Sequence, residues 1–273
     1  MVESWDESQI KLVTEVLPHV AAQLRASLSN MHGALKCLGT ADGNNTPGGP
    51  YAAILNQSYY RLLRLVNNLS AAPMLSSDTL FETKNVELVE WLSDLCRQAE
   101  VPAEVSGLSL RFETELRCHI VQIHPEHMER LVWNLLSNAF KFTPAGGTVT
   151  VTLHKVGGQL LLGVSDTGCG IPQEQQETVF ERYLHADLSH PTQGGLGLGL
   201  PLCRRIAQGH GGRLLLHSHV GEGTSVSVAI PDRRAAVDTV QDVPFRYAGG
   251  FQAVMMELSD ALPYQAYAEK HLD

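Results

Sequence analysis

The chain has 273 residues, enough for one large domain or two small ones, and 44% of them are hydrophobic, which is sufficient for buried cores. Its net charge of −9 and its scattered Lys and Arg residues give little support to a surface for nucleic acid or anionic membranes, so we expect no nucleic-acid partner. It has no run of roughly 18 apolar residues, no signal sequence and no closely spaced cysteines. We therefore expect a cytoplasmic protein with reduced thiols and no direct membrane insertion.

Two long stretches near the N-terminus carry apolar residues three and four positions apart, as one stripe of an amphipathic helix requires. The first stripe runs from Val13 to Leu38 and the second from Leu55 to Leu69, with the helix-breaking stretch GTADGNNTPGGP between them. A two-helix hairpin cannot enclose its own apolar face, so we expect a homodimer through a four-helix bundle. The alternative is that the stripes pack on the rest of the chain, but their seam-like spacing favours the dimer.

Helical and strand patterns then alternate along the chain. Helical patterns cover residues 89–100, 126–140 and 199–212, and strand patterns cover 108–113, 118–123, 148–155, 159–166, 213–218 and 225–230. Gly157 and Gly158 mark a hairpin turn between two of the strands. The predicted fold class is α+β: a two-helix hairpin followed by an α/β sandwich with a mixed sheet and helices on one face.

Beyond Asp232 the pattern is less regular, with one short amphipathic segment from Phe251 to Leu262 that we expect to dock or to form a small interaction helix. We place the domains at residues 1–75 for the hairpin, 76–231 for the sandwich and 232–273 for a C-terminal extension of unknown role.

A polar constellation lies on the third predicted helix. Asn134 and Asn138 are four residues apart and therefore share a face, where amide oxygens can help to coordinate Mg²⁺ whose other ligands are phosphates and water. Lys141, one turn further on, can meet a phosphate, and Phe142 can lie against a purine. The sequence thus predicts a site for a nucleotide and Mg²⁺.

The next two motifs complete this prediction. Asp166, at the end of a strand, can accept a hydrogen bond from the exocyclic amine of adenine, and Gly168 and Gly170 let the backbone approach the base. A later glycine run before a helix offers backbone N–H groups to phosphates, and residues 185–193 before it could form a lid. The run consists of Gly194, Gly195, Gly197 and Gly199.

Four motifs in this order resemble those of one superfamily: RLVWNLLSNAFKFTP, VSDTGCGIP, VFERY and GGLGLGL. The arrangement is similar to the ATP-binding domain of sensor histidine kinases, gyrase-type topoisomerases, Hsp90 and MutL proteins, and most similar to the histidine kinases. The resemblance covers Phe81 to Pro231, and the hairpin resembles the dimerisation and phosphoacceptor domain. It implies ATP and Mg²⁺ as cofactors, catalytic roles for Asn134 and Lys141, and further ATP contacts from Ile171, Phe180 and Leu198.

One position separates branches of this superfamily. The members that hydrolyse ATP carry a Glu as general base one turn before the metal-binding Asn, and this chain has Asn134 there. Without that carboxylate no residue is placed to activate water, which favours phosphoryl transfer or nucleotide binding alone.

The hairpin departs from the histidine-kinase pattern at the acceptor. Where the resembled proteins have a phosphoaccepting His, this chain has Ala22, which cannot accept phosphate. His19, one turn earlier, is an alternative acceptor, although a packing or solvated histidine explains it as well.

The predicted lid departs too, because it offers His185 and His190 where the family usually places arginines. Histidine is cationic only near or below a pKa of about 6.5, so we expect nucleotide affinity to weaken from pH 6 to pH 8 if these residues contact phosphate.

These observations favour an ATP-dependent protein-histidine kinase that acts in a two-component phosphorelay, on an unusual site of its own or on a partner, with a response regulator downstream. The main alternative is a catalytically inactive scaffold that binds ATP and regulates a partner kinase by dimerisation. A protein-serine kinase of the anti-sigma-factor type fits less well, because it lacks a helical hairpin and tends to have an acid at the position of Asn134.

Overall fold

The computed structural model describes residues 17–39, 49–71, 81–180, 197–234 and 252–268. Two long helices come first, α1 (Leu17–Gly39) and α2 (Gly49–Ala71), and they pack on each other as the predicted hairpin. The elements that follow are β1 (Lys84–Glu87), α3 (Leu88–Val105), β2 (Ser109–Thr114), β3 (Ile120–Ile123), α4 (Pro125–Phe142), β4 (Thr148–Val156), β5 (Gln159–Asp166), α5 (Gln173–Gln176), a 3-10 turn (Thr178–Phe180), α6 (Gly199–Gly209), β6 (Arg213–His219), β7 (Gly223–Pro231), α7 (Ala253–Glu257) and a second 3-10 turn (Tyr264–Tyr267).

The strands form one five-stranded sheet in the order β2-β4-β5-β7-β6 and a two-stranded antiparallel pair of β1 and β3. Strands β2 and β4 are parallel, and the other neighbours in the large sheet are antiparallel. The turn between β4 and β5 is made by Gly157 and Gly158, with φ of 55° and 77°, a left-handed conformation that glycine adopts without strain. The predicted mixed sheet is confirmed.

The core lies between this sheet and the helices packed on it. Along β4, Val149, Val151 and Leu153 alternate with exposed or half-buried residues, so one face of the strand is buried. Helix α4 covers that face with fully buried leucines such as Leu131 and Leu136. Burial of each such side chain contributes about 1.5–3 kcal/mol to stability.

The C-terminal segment, residues 252–268, joins the same core. Val254, Met255, Leu258, Leu262 and Tyr267 are all buried in it, where the segment packs against α3 and α4. The amphipathic segment predicted from Phe251 to Leu262 therefore docks on the chain itself. Its first residue lies outside the described residues.

The hairpin leaves part of its predicted apolar stripe exposed. On α2 the buried side chains include Ala53, Gln57, Tyr60 and Arg64, none of which belongs to the stripe. Of the stripe itself, Tyr59 is 41% and Val66 is 55% exposed, and Leu24, Leu28 and Leu35 on α1 are exposed as well. Other stripe residues are half-buried or buried: Leu55, Leu62, Leu69 and Val20. The part of the predicted first helix before Leu17 lies outside the described residues. Among the described helices, none is both long enough and apolar enough to cross a bilayer.

Candidate functional site

Helix α4 carries three of the predicted site residues on one face. It begins at Pro125, after the N-cap His124, and its C-cap residue Thr143 donates its hydroxyl to the carbonyl of Ala139 at 2.6 Å. Between these ends the helical period places Asn134, Asn138 and Lys141 on consecutive turns of the same side. Capping at both ends therefore fixes the register in which these polar side chains are presented.

Asn134 is the most enclosed of the three, with 3% of its surface exposed. Its Nδ2 is buried and has no hydrogen-bond partner among the residues described. A buried donor without a partner costs about 1–3 kcal/mol, so a ligand that places an acceptor beside this amide would remove that cost. The same side chain lies against the start of α6, since a Cβ on Gly199 would stand 3.3 Å from Asn134 Oδ1.

The loop after β5 supplies the carboxylate. Oδ1 of Asp166 accepts hydrogen bonds from the backbone N–H groups of Gly168, at 2.8 Å, and Thr224, at 3.2 Å. Both bonds end on Oδ1, so within the described structure Oδ2 is available to a ligand that donates. Burial raises the pKa of this carboxyl, and the two N–H donors oppose the rise.

Close backbone packing joins this loop to the end of α4. A Cβ on Gly168 would stand 2.4 Å from the carbonyl oxygen of Phe142, so only glycine fits there. The N–H of Cys169 donates to that same oxygen at 3.3 Å. Phe142 and Gly168, 26 positions apart in sequence, are thereby held side by side.

A cleft of about 460 Å³ opens between them, within the size range of small-molecule sites. Phe142 is 48% exposed at the cleft and offers a free ring face, and Nζ of Lys141 lies 5.1 Å from the centroid of that ring. Burial lowers the pKa of Lys141. The lining residues are Lys141, Phe142, Thr143, Pro144, Thr167, Gly168, Cys169 and Gly221.

The glycine run reaches the site at the N-terminus of α6. Gly197 has a φ of 69°, Leu198 is buried, and Gly199 is the first residue of the helix. Among the described residues no side chain caps this end of α6, and N–H groups at a helix start are suited to an anion. This end also touches the hairpin, because Leu198 and Leu202 form a small apolar cluster with Val20 of α1 and Leu65 of α2.

Three further predicted residues lie around the turn after Asp166. Gly170 has a φ of 70°, and a Cβ there would stand 2.0 Å from the carbonyl oxygen of His219. The N–H of Ile171 donates to Ser218 Oγ at 2.8 Å, which anchors the turn to β6. Phe180 ends the 3-10 turn that packs against α6.

The structure describes the remaining predicted site residues only in part. His185, His190, Gly194 and Gly195 lie outside the described residues. The backbones of His19 and Ala22 belong to α1, but their side chains also lie outside what the structure describes. Predictions on these residues stay predictions.

Sequence reasoning missed Thr224, which holds Asp166 through its N–H. The two residues are opposite each other in the antiparallel pairing of β5 and β7, yet they are 58 positions apart. The register of these two strands was the signal that could have found it. The cleft residues Thr143, Thr167 and Gly221 were missed as well: the first two lie within the quoted motifs but were given no role, and Gly221 lies outside them.

Comparison with known proteins identifies this region. Residues 123–234 match the model of the histidine kinase-, DNA gyrase B- and HSP90-like ATPases. These residues belong to that ATPase family. The match contains α4, the loop after β5 and the start of α6, so it covers every described residue of the site.

The similar proteins are histidine kinases and sensor proteins. Histidine protein kinase DivJ of Caulobacter vibrioides is 35% identical over 182 residues, which are 66% of this chain and 30% of DivJ. Sensor protein DivL of the same organism is 27% identical over 223 residues, 81% of this chain and 28% of DivL. The chain therefore spans less than a third of either relative. The family resemblance expected from the motifs is confirmed.

A solved structure extends the likeness to the hairpin. Histidine kinase ThkA, in its complex with the response regulator protein TrrA, superposes with a TM-score of 0.62 at 20% identity. The match covers 83% of this chain and 64% of ThkA, more than the ATPase domain alone. At this identity the likeness concerns the fold, and it supports the predicted order of hairpin and sandwich.

Proposed function

We propose that this protein binds ATP with Mg²⁺ in the cleft between α4 and the loop after β5, and that it acts as a histidine-kinase-type signalling protein. The observation that carries the proposal is the buried, unpartnered amide of Asn134 beside the open N-terminus of α6. Such an amide and a set of free N–H groups both fit the phosphates of a nucleotide better than an apolar ligand.

The described residues fit ATP from base to phosphate. Oδ2 of Asp166 would accept a hydrogen bond from the adenine amine, and the exposed ring of Phe142 would stack on the adenine ring. Asn138, with Asn134, would hold Mg²⁺ through amide oxygens, and Lys141 would neutralise phosphate charge. Bound Mg²⁺ would supply charge stabilisation for the transferred phosphoryl group.

The chemistry we propose is transfer of the γ-phosphate to a histidine. Hydrolysis is less favoured, because Asn134 is an amide and cannot take a proton from water as a carboxylate does. The usual acceptor position is Ala22, so the acceptor is His19 or a histidine of a partner protein. Val20, between these two positions, packs against Leu198 at the phosphate end of the site, which supports an approach of α1 to the nucleotide.

The second candidate is a scaffold that binds ATP without transfer and regulates a partner kinase. The specific observation that favours it is Ala22, which removes the nucleophile while the nucleotide residues remain.

We further propose that the hairpin forms a homodimer. Leu28 and Leu35 of α1, each 57% exposed, and Val66 of α2 form an apolar stripe on the outer side of the hairpin, and a second hairpin would cover it.

The partner we propose downstream is a response regulator, by analogy with ThkA. The proposed location is the cytoplasm, where ATP is available and where free thiols such as Cys96 and Cys203 persist. The proposed units are residues 1–75, 76–231 and 232–273.

Incubation of the pure protein with γ-labelled ATP and Mg²⁺ tests the function, with Asn138→Ala as the control. Acid-labile label that is absent from the control supports a histidine kinase, and loss of that label in His19→Gln assigns the acceptor to His19. ATP binding without any label, also after addition of a candidate response regulator, supports the scaffold. Absence of ATP binding by calorimetry contradicts both.

A further inference from the structure

The C-terminal segment, residues 252–268, is bonded to the hairpin by a row of polar side chains on α2. Gln57 Nε2 donates to the carbonyl of Leu262 at 2.7 Å, and Arg61 Nε donates to the carbonyl of Ser259 at 3.0 Å. At one end of the row, Asn56 Nδ2 donates to Tyr267 O at 3.2 Å. Gln57 is buried, and Asn56 and Arg61 are half-buried, so this row lies on the side of α2 that faces the segment.

An ion pair joins the same two elements. Arg64 Nη1 lies 3.0 Å from Asp260 Oδ2, and the Arg64 side chain is only 7% exposed. Glu257 of the segment is buried near Arg64 and near Arg130 of α4, and its burial raises its pKa. Basic and acidic side chains thus lie together where α2, α4 and the segment meet. Removal of one partner of a buried ion pair there leaves the other charge unpaired and destabilises the contact.

The other side of the segment is held differently. Val254, Met255, Leu258 and Leu262 are buried in the main core against α3 and α4. Contact with α2 is more extensive than contact with α3 and α4, and it adds Ala53 and Tyr60 to the same core. The Tyr60 ring centroid lies 5.5 Å from that of Tyr267. The segment therefore bridges α2 and the ATPase domain, and α2 opens when the bonds on its side of the bridge are lost.

We propose that residues 252–268 form an intramolecular latch, which holds the second hairpin helix on the ATPase domain and is locked by the Arg64–Asp260 pair. When the latch is closed, Leu198 at the phosphate end of the site stays against Val20 of the chain's own α1. An acceptor histidine of another protein reaches that end only after the hairpin has moved away. The latch therefore restrains transfer to an outside acceptor, a consequence that rests on the proposed function.

Hydrogen exchange of the full-length chain, followed by mass spectrometry, tests the latch without nucleotide or acceptor. In Asp260→Ala we expect the amides of α2 to exchange at least about fivefold faster than in the wild type, because α2 opens more often, while α4 keeps its protection. The matched control is Asp94→Ala, which removes the same carboxylate from an ion pair with Arg97 that lies within α3. Its α2 should exchange as in the wild type.

A second variant, Gln57→Ala, removes another bond of the latch from the α2 side and should act in the same direction. Unchanged α2 exchange in both variants overturns the latch. Equal acceleration of α2 and α4 also overturns it, since the segment is then only a part of the domain core. A chain that fails to transfer phosphate but shows the expected exchange contradicts the proposed function and leaves the latch standing.

Discussion

The ATPase domain and the hairpin keep their family patterns to different degrees. In the domain, the end of α4 and the loop after β5 line one cleft, and the start of α6 lies against Asn134. In the hairpin both helices are present, but Ala22 stands at the position where the resembled proteins have a phosphoaccepting His, and part of the apolar stripe is exposed. The described residues of the proposed nucleotide site thus lie within one domain, whereas the proposed roles of the hairpin need other molecules.

The largest effect should come from the core beneath the site. Leu136 of α4 is fully buried, so Leu136→Ala should lower the free energy of unfolding by about 2–5 kcal/mol through lost burial and a cavity. The matched control is Leu215→Ala on β6, a 41% exposed position outside the proposed dimer contact, which should lower it by no more than about 1 kcal/mol. Urea unfolding measures both, and equal losses would mean that burial under α4 is not what stabilises the domain.

The next effect concerns the base-binding carboxylate. Asp166→Asn keeps an oxygen for the N–H groups of Gly168 and Thr224 but places an amide donor where the adenine amine would donate. We expect ATP affinity to fall about 30- to 100-fold, equivalent to roughly 2–3 kcal/mol, with little change in melting temperature. Calorimetric titration measures it, and Glu174→Gln, at an exposed position on α5, is the control. Unaltered affinity would remove Asp166 from the proposed site.

Local pattern explains why so much of the domain was predictable. Strand β5 runs from Gln159 to Asp166 as predicted, because alternating burial and the Gly157–Gly158 turn define both of its ends within a few residues. Helix α4 extends one residue before and two beyond the predicted 126–140, since caps form outside the periodic stretch. Four of the predicted site residues lie on that one helix, so predicting the helix also placed them relative to one another.

Contacts between distant residues explain the rest. Arg64 and Asp260 are 196 positions apart, and neither carries a motif that points to the other. On α2 the apolar stripe predicted a dimer contact, but it could not predict that Gln57 and Arg64 are buried, since the C-terminal segment supplies the carbonyl and carboxylate acceptors for them. No pattern within either segment contains that information.

The proposed dimer contact of the hairpin can be tested without changing the nucleotide site. Leu28→Lys places a charge at the centre of the proposed dimer contact, so we expect at least about a tenfold rise in the dimer dissociation constant, roughly 1.4 kcal/mol. Sedimentation equilibrium measures it, and ATP affinity should stay unchanged. Ser29→Lys, at the neighbouring exposed position outside the stripe, adds the same charge as a control. A monomeric wild-type protein would contradict the proposed dimer.

The smallest effect lies at the start of α4, where three imidazoles meet Phe81. His127 stacks on His124 with ring centroids 3.8 Å apart, and Phe81 covers it at 4.2 Å. Burial, followed by the charges of His124, His210 and Arg130, lowers the pKa of His127 to about 4. In the unfolded chain the pKa is about 6.5, so between pH 6.5 and pH 4 only the unfolded chain takes up this proton.

Stability should therefore fall as the pH falls through that window and should not depend on His127 above it. The full shift corresponds to about 3 kcal/mol, and because the ring is only partly buried we expect about 1 kcal/mol. His127→Phe keeps an aromatic ring for the contacts and removes both titratable ring nitrogens, of which the buried Nδ1 has no hydrogen-bond partner among the described residues. Melting temperatures from pH 7 to pH 4 should decline less steeply in this variant than in the wild type or in His154→Phe, an exposed control on β4. Parallel declines in all three proteins would assign the acid sensitivity to groups other than His127.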